Sequence, residues 1–144
     1  MTESANLPIG MIAQQLQRGF EAECFSRLAA AGFTGLRMRH SVLLNALGPQ
    51  GARITQLANE LNMTKQAMGE LIDELESNGY LERTSDPNDR RARIIYYTEQ
   101  GRRALATAME IMPAIEREYA EMVGASRYAE AKLVMATLVD ASEA

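Results

Sequence analysis

One cysteine, one histidine and no tryptophan in 144 residues leave several kinds of chemistry without their parts. Cys24 stands alone, so no intramolecular disulfide framework can form. With His40 as the only histidine, two-histidine zinc motifs, cysteine-rich metal sites and most catalytic triads lack members. No glycine-rich loop followed by Lys and Ser or Thr is present to cradle a phosphate. No apolar run approaches the ~18 residues a membrane helix needs. Met1 to Pro8 lacks the basic start and apolar core of a secretory signal. The expectation is a cytoplasmic protein that is not an enzyme, with no cofactor, no metal and no membrane contact.

Excess charge of one sign is also missing. Fifteen Lys and Arg face nineteen Asp and Glu, a net charge of −4. That excludes a uniformly basic nucleic-acid coat and leaves room for a local basic patch. A chain of this length buries roughly 68–70% of its unfolded surface, enough for a core without staples. Residues 1–144 read as one domain, mainly α with a small β-wing.

Hydrophobic spacing sets out the elements. Pro8 suits the start of a helix, and Ile9, Ile12, Leu16, Phe20, Cys24 and Leu28 make one apolar stripe ending near Gly32. A second helix is expected over Leu36 to Leu47. Ile54, Leu57, Ala58 and Leu61 then give a short helix. After Asn62 another begins, with Thr64 as its cap and Met63 and Met68 as a hydrophobic staple. Two short amphipathic helices joined this closely form a helix-turn-helix.

The period changes after Asn78-Gly79. Tyr80 to Arg83 and Ala92 to Tyr97 read as strands around the turn residues Ser85 to Asp89. A hairpin directly after a helix-turn-helix is a wing. Thr98 is placed to cap a long helix, bent at Pro113 and stopped at Gly124, and Ser126 to cap a last one. The winged helix-turn-helix core is thus expected over 35–103, flanked by helices at 6–34 and 104–144. A small core cannot cover the apolar sides of those flanking helices, so they are expected to form a homodimer.

Thr64, Lys65, Gln66 and Gly69 lie at the start of the second helix-turn-helix element. Lys donates to guanine or phosphate, Gln bridges adenine bidentately, and Gly leaves room for close approach. Glu70 and Asp73 argue against intimate contact further along. From Arg83 to Arg103 six arginines face three acids, a local excess of three positive charges. Arginine is the residue that suits the narrow, electronegative minor groove. Double-stranded DNA is the expected partner. A protein–protein module, with the wing serving an acidic partner, is the rival reading.

The run from Ile54 to Gly101 resembles the core of the MarR-type winged-helix transcription regulators. Asp86-Pro87-Asn88-Asp89-Arg90-Arg91, followed by Thr98-Glu99-Gln100-Gly101, carries the resemblance. It implies that Arg90 enters the minor groove at the wing tip, with Arg93 beside it, and that Asp89 and Arg91 brace the wing by an ion pair. It also implies a two-fold dimer reading a pseudo-palindrome; repression by occupying a promoter is the expected mode. Glu70 and the stretch Gly35 to His40 depart from the commonest family pattern. Many relatives release DNA on binding anionic aromatic compounds, and an effector pocket formed by Phe20, Cys24, Arg37 and His40 is expected here. Two other readings stay open at this point. Cys24 is then a redox-sensing thiol, or the basic residues near His40 touch the DNA backbone.

Overall fold

A computed structural model describes residues 2–144. A single 3-10 turn at Glu3–Asn6 leads into α1 (Ile9–Ala30), which starts after Pro8 as expected. The next helix is shorter than the sequence suggests. Arg37 is extended (φ −132°, ψ 161°), so no helix can run through it. A 3-10 turn at Met38–His40 precedes α2 (Ser41–Ala46) instead. Strand β1 (Ala52–Arg53), only two residues long, precedes α3 (Ile54–Glu60) and α4 (Lys65–Ser77). Thr64 caps α4 by accepting the N–H of Ala67 at 3.0 Å. Asn62, at φ 52°, turns the chain between the two helices.

The hairpin is longer than predicted, with β2 spanning Leu81–Asp86 and β3 Asp89–Tyr97. Its strands pair antiparallel from Leu81 opposite Tyr97 to Asp86 opposite Asp89, with an irregularity at Ser85/Asp86. On the other edge of β3, Ala52 and Arg53 pair with Ile95 and Ile94, giving the sheet order β1-β3-β2. Helix α5 (Glu99–Val123) follows, with Thr98 accepting the N–H of Gly101 at 3.0 Å. That glycine is required by contact: a Cβ there would lie 2.1 Å from the Tyr80 carbonyl oxygen. Helix α6 (Ala125–Glu143) begins one residue earlier than the expected cap. Gly124, at φ 97°, makes the turn and Ser126 lies inside the helix.

Two cores result. Leu43, Leu57, Met68, Ile72, Leu75, Leu81 and Ile95 join α2, α3, α4 and the sheet, with Met63 packed against this cluster. Cys24, Leu28, Ala108 and Ile115 join α1 to α5. Arg27 of α1 strengthens that seam through Glu118 of α5 at 2.5 Å. Helix α6 contributes no buried residue.

Candidate nucleic-acid interface and adjoining cavity

The two elements expected to meet DNA lie side by side because α4 runs directly into β2. Their surfaces differ in how far their charges are already committed. Lys65 and Gln66 are exposed on the first turn of α4. Thr64 is exposed too, but its hydroxyl oxygen is occupied by the helix cap. Gly69 is half-buried, and an added Cβ would meet nothing within 4 Å. The protein's own packing does not demand glycine there.

The acids further along α4 have internal partners. Asp73 accepts from Arg83 of β2 at 2.6 Å, and Glu76 accepts from the same guanidinium at 3.4 Å. Glu74 accepts from Arg39 and pairs with His40 Nε2 at 2.7 Å. The His40 contact, then Arg39, holds the Glu74 carboxyl below its ordinary value. Neutralised acids of this kind repel phosphate far less than their count suggests. Glu70 keeps no such partner among the described residues.

The wing arginines divide in the same way. Arg83 is tied to α4 and Arg93 donates to Ser85 across the hairpin, while Arg102, on the first turn of α5, donates to the Tyr97 carbonyl at 2.9 Å. Arg90 and Arg91, both exposed at the tip, have no side-chain partner among the described residues. The expected Asp89–Arg91 ion pair is absent there. Asp89 instead accepts the backbone N–H of Arg91 at 3.0 Å, an Asx-type turn that shapes the tip.

The ion pair that braces the wing joins Arg53 of β1 to Asp86 of β2. Asp86 is buried and also accepts the N–H of Asn88 at 2.9 Å. That backbone bond, then Arg53, pulls its carboxyl below the ordinary range. Sequence reading missed Arg53 because a two-residue strand carries no periodicity.

A cavity of about 410 Å³ opens between α1, α2 and α5, on the side of the core away from the wing tip. Phe20 and Cys24 line it, as expected; Arg37 and His40 do not. His40 is 1% exposed, and its Nδ1 accepts the Arg37 N–H at 3.0 Å. That bond fixes the tautomer, so Nε2–H donates to Glu74. The histidine therefore links the turn before α2 to α4 and faces no ligand space. Arg37, held extended by the same bond, lies outside the cavity lining.

The charged group that does line the cavity is Glu21, one helical turn from Gln17 and Cys24. It accepts from Gln17 at 3.2 Å, and the Ser41 hydroxyl oxygen lies 3.4 Å from it. Phe20 is held against Tyr119 of α5, ring centroids 6.1 Å apart and edge-on. Burial pushes the Cys24 thiol up, and the Glu21 charge adds to the effect. Both oppose the thiolate on which redox sensing depends.

Other features frame these sites. Among the described residues no group of three or more His, Cys, Asp or Glu is placed to hold a metal, and no helix is long and apolar enough to cross a membrane. Large apolar side chains stand exposed at Ile9, Met109, Met122, Leu133 and Leu138, on α1, α5 and α6.

A MarR family model matches residues 32–92, from just after α1 through the wing tip into β3. The chain is 32% identical over 56 residues to the transcriptional regulator HosA of Escherichia coli O111:H-, covering 39% of this chain and 42% of HosA. It thus spans less than half the length of that curated relative. The transcriptional repressor CouR, solved bound to a 23-mer DNA duplex, is similar at TM-score 0.66 and 25% identity, over 96% of this chain and 97% of CouR. The PcaV transcriptional regulator from Streptomyces coelicolor, solved with its natural ligand, shares the fold at TM-score 0.60 and 19% identity, over 99% and 98%. Over residues 32–92, which hold the helix-turn-helix and most of the wing, the chain is similar to the MarR family, and over nearly its whole length it shares the fold of these solved regulators.

Proposed function

We propose that this protein is a sequence-specific, double-stranded DNA-binding transcriptional regulator, a ligand-responsive repressor that works as a homodimer. The observation that carries the reading is the sorting of charge around α4 and the wing. Asp73, Glu74 and Glu76 are neutralised internally, while Lys65, Gln66, Arg90 and Arg91 stay exposed and uncommitted. The similarity to CouR, whose structure contains a DNA duplex, supports the same use of this surface.

In this reading α4 enters the major groove and the wing tip reaches the adjacent minor groove. Lys65 and Gln66 read base edges, and Gly69 permits close approach. Arg90 supplies a weakly hydrated, always charged group to the minor groove. Arg93 acts mainly by holding the hairpin through Ser85. The exposed apolar side chains of α1, α5 and α6 are what a two-fold partner would cover. A dimer sets two copies of α4 about one helical turn apart on a pseudo-palindrome.

Selecting bound duplexes from random DNA, then measuring affinity against salt, tests the proposal. With about 6–10 phosphate contacts per dimer, affinity should fall roughly 10³–10⁵-fold between 50 and 200 mM salt. A salt-independent affinity, or retention of no duplex at all, refutes it.

A further inference from the structure

The cavity between α1, α2 and α5 is the strongest unassigned feature of the molecule, and its chemistry runs against the expectation of an anionic ligand. At about 410 Å³ it falls within the size range of small-molecule sites. Its walls are mostly apolar, with Phe20, Phe25, Leu44 and Met112 among the larger side chains. No lysine, arginine or histidine lines it.

The polar groups there are largely committed. Tyr80 donates its hydroxyl to the Thr34 carbonyl at 2.6 Å, and Tyr97 donates to the Leu44 carbonyl at 2.8 Å. Burial pushes the Tyr97 phenol up to about 12, so it stays neutral. Ser41 donates to the Met38 carbonyl at 2.7 Å. What remains is the neutral amide of Asn45 and the carboxylate of Glu21, the one charged group of the lining, with no cationic partner among the described residues and only two long contacts, to Gln17 and Ser41.

An anion entering this space would leave water for apolar walls, find no countercharge and meet a like charge. Each of those steps is unfavourable. A cation with an apolar body meets the opposite conditions. Its body replaces water on the walls, and its charge lies beside the opposite charge of the partly buried Glu21.

We propose that this cavity binds lipophilic cations, with Glu21 as the counter-charge. The proposal deepens the ligand-responsive reading above and rests on it only for the consequence, control of DNA binding.

Tetraphenylphosphonium and tetraphenylborate share one shape and carry opposite charges, which makes them a direct probe pair. The full chain and Glu21→Gln are titrated with each by calorimetry, with folding checked by circular dichroism. The cation should bind at least tenfold more tightly than the anion, a difference of about 1.4 kcal/mol. Glu21→Gln should abolish that preference and Glu21→Lys should reverse it. Equal affinities, tighter binding of the anion, or a preference that survives Glu21→Gln overturns the proposal. Duplex binding is measured on the same preparations. Loss of the charge preference with DNA binding intact removes only the cavity assignment. A Glu21-dependent preference in a chain that retains no duplex removes only the regulator reading.

Discussion

Replacing Gly69 with alanine perturbs two properties in opposite directions, which makes it a sharp test of how α4 is used. The residue lies inside α4, away from either end, and an added Cβ would meet nothing within 4 Å. Glycine in a helix interior is less stable than alanine by roughly 0.5–1 kcal/mol, because the unfolded chain loses more freedom on ordering. Nothing in the protein offsets that gain with a clash. Thermal unfolding of Gly69→Ala should therefore shift upward by roughly 2–4 °C. Bound DNA supplies the opposing effect. If the helix backbone lies against the groove at this turn, a methyl group intrudes on a packed contact at about 1–3 kcal/mol. That corresponds to a loss of about 5- to 150-fold in affinity for the selected duplex. Unfolding followed by circular dichroism, and anisotropy of a labelled duplex, read the two effects separately. A drop in stability would show that the space around Gly69 is not free. Raised stability with unchanged DNA affinity would show that α4 does not approach DNA at Gly69.

Three further outcomes follow from the geometry. Arg90→Ala should weaken binding across sequences and lower the salt slope by about one per protomer, whereas Gln66→Ala should cost about 1–3 kcal/mol on the preferred site only; competition titrations at several salt concentrations distinguish them. Gly101→Ala should cost about 3 kcal/mol or more in urea unfolding, since its Cβ would lie 2.1 Å from a backbone oxygen that cannot move freely; an unchanged midpoint would refute the contact. Glu74 has a folded pKa below its ordinary value of 4.5, so its stabilising contacts with His40 and Arg39 are complete above that value and fade as pH falls through the lower one. The stability difference between the wild type and Glu74→Gln should then shrink on acidification below pH 4.5, and a difference that grew would contradict the sign.

Much of the fold is legible in the sequence because its long elements carry periodicity and end on strong signals. Thr64 and Thr98 cap α4 and α5 where the spacing places them. The parts that escape are short or decided by tertiary contact. Strand β1 is two residues long and exists because Ala52 and Arg53 find Ile95 and Ile94 forty residues later. The helix expected from Leu36 fails at Arg37, whose N–H goes to a histidine ring and not to a helical carbonyl. Such a bond depends on where His40 is buried, and the local pattern does not encode that.

The candidate site divides along the same line. Residue type and position suffice to place Lys65, Gln66 and Arg90 as exposed side chains at a helix start and a hairpin tip, because such side chains need no partner to be where they are. Pairings were not legible. Asp73 and Glu76 look like repulsive acids until Arg83 is found beside them. Asp89 and Arg91 look like a brace, yet residues two apart on one strand are joined here through the backbone, and the ion pair belongs to Arg53 and Asp86, thirty-three positions apart. The cavity shows the same effect with the sign of its charge reversed. Arg37, Arg39 and His40 form a basic cluster in the chain, but Arg39 and His40 turn toward Glu74 and Arg37 stays outside the lining. Glu21 meanwhile lies on the same face of α1 as Phe20 and Cys24, one turn from Gln17. Helical spacing alone places this acid on the cavity face, whereas Arg39 and His40 are placed by a partner distant in the sequence.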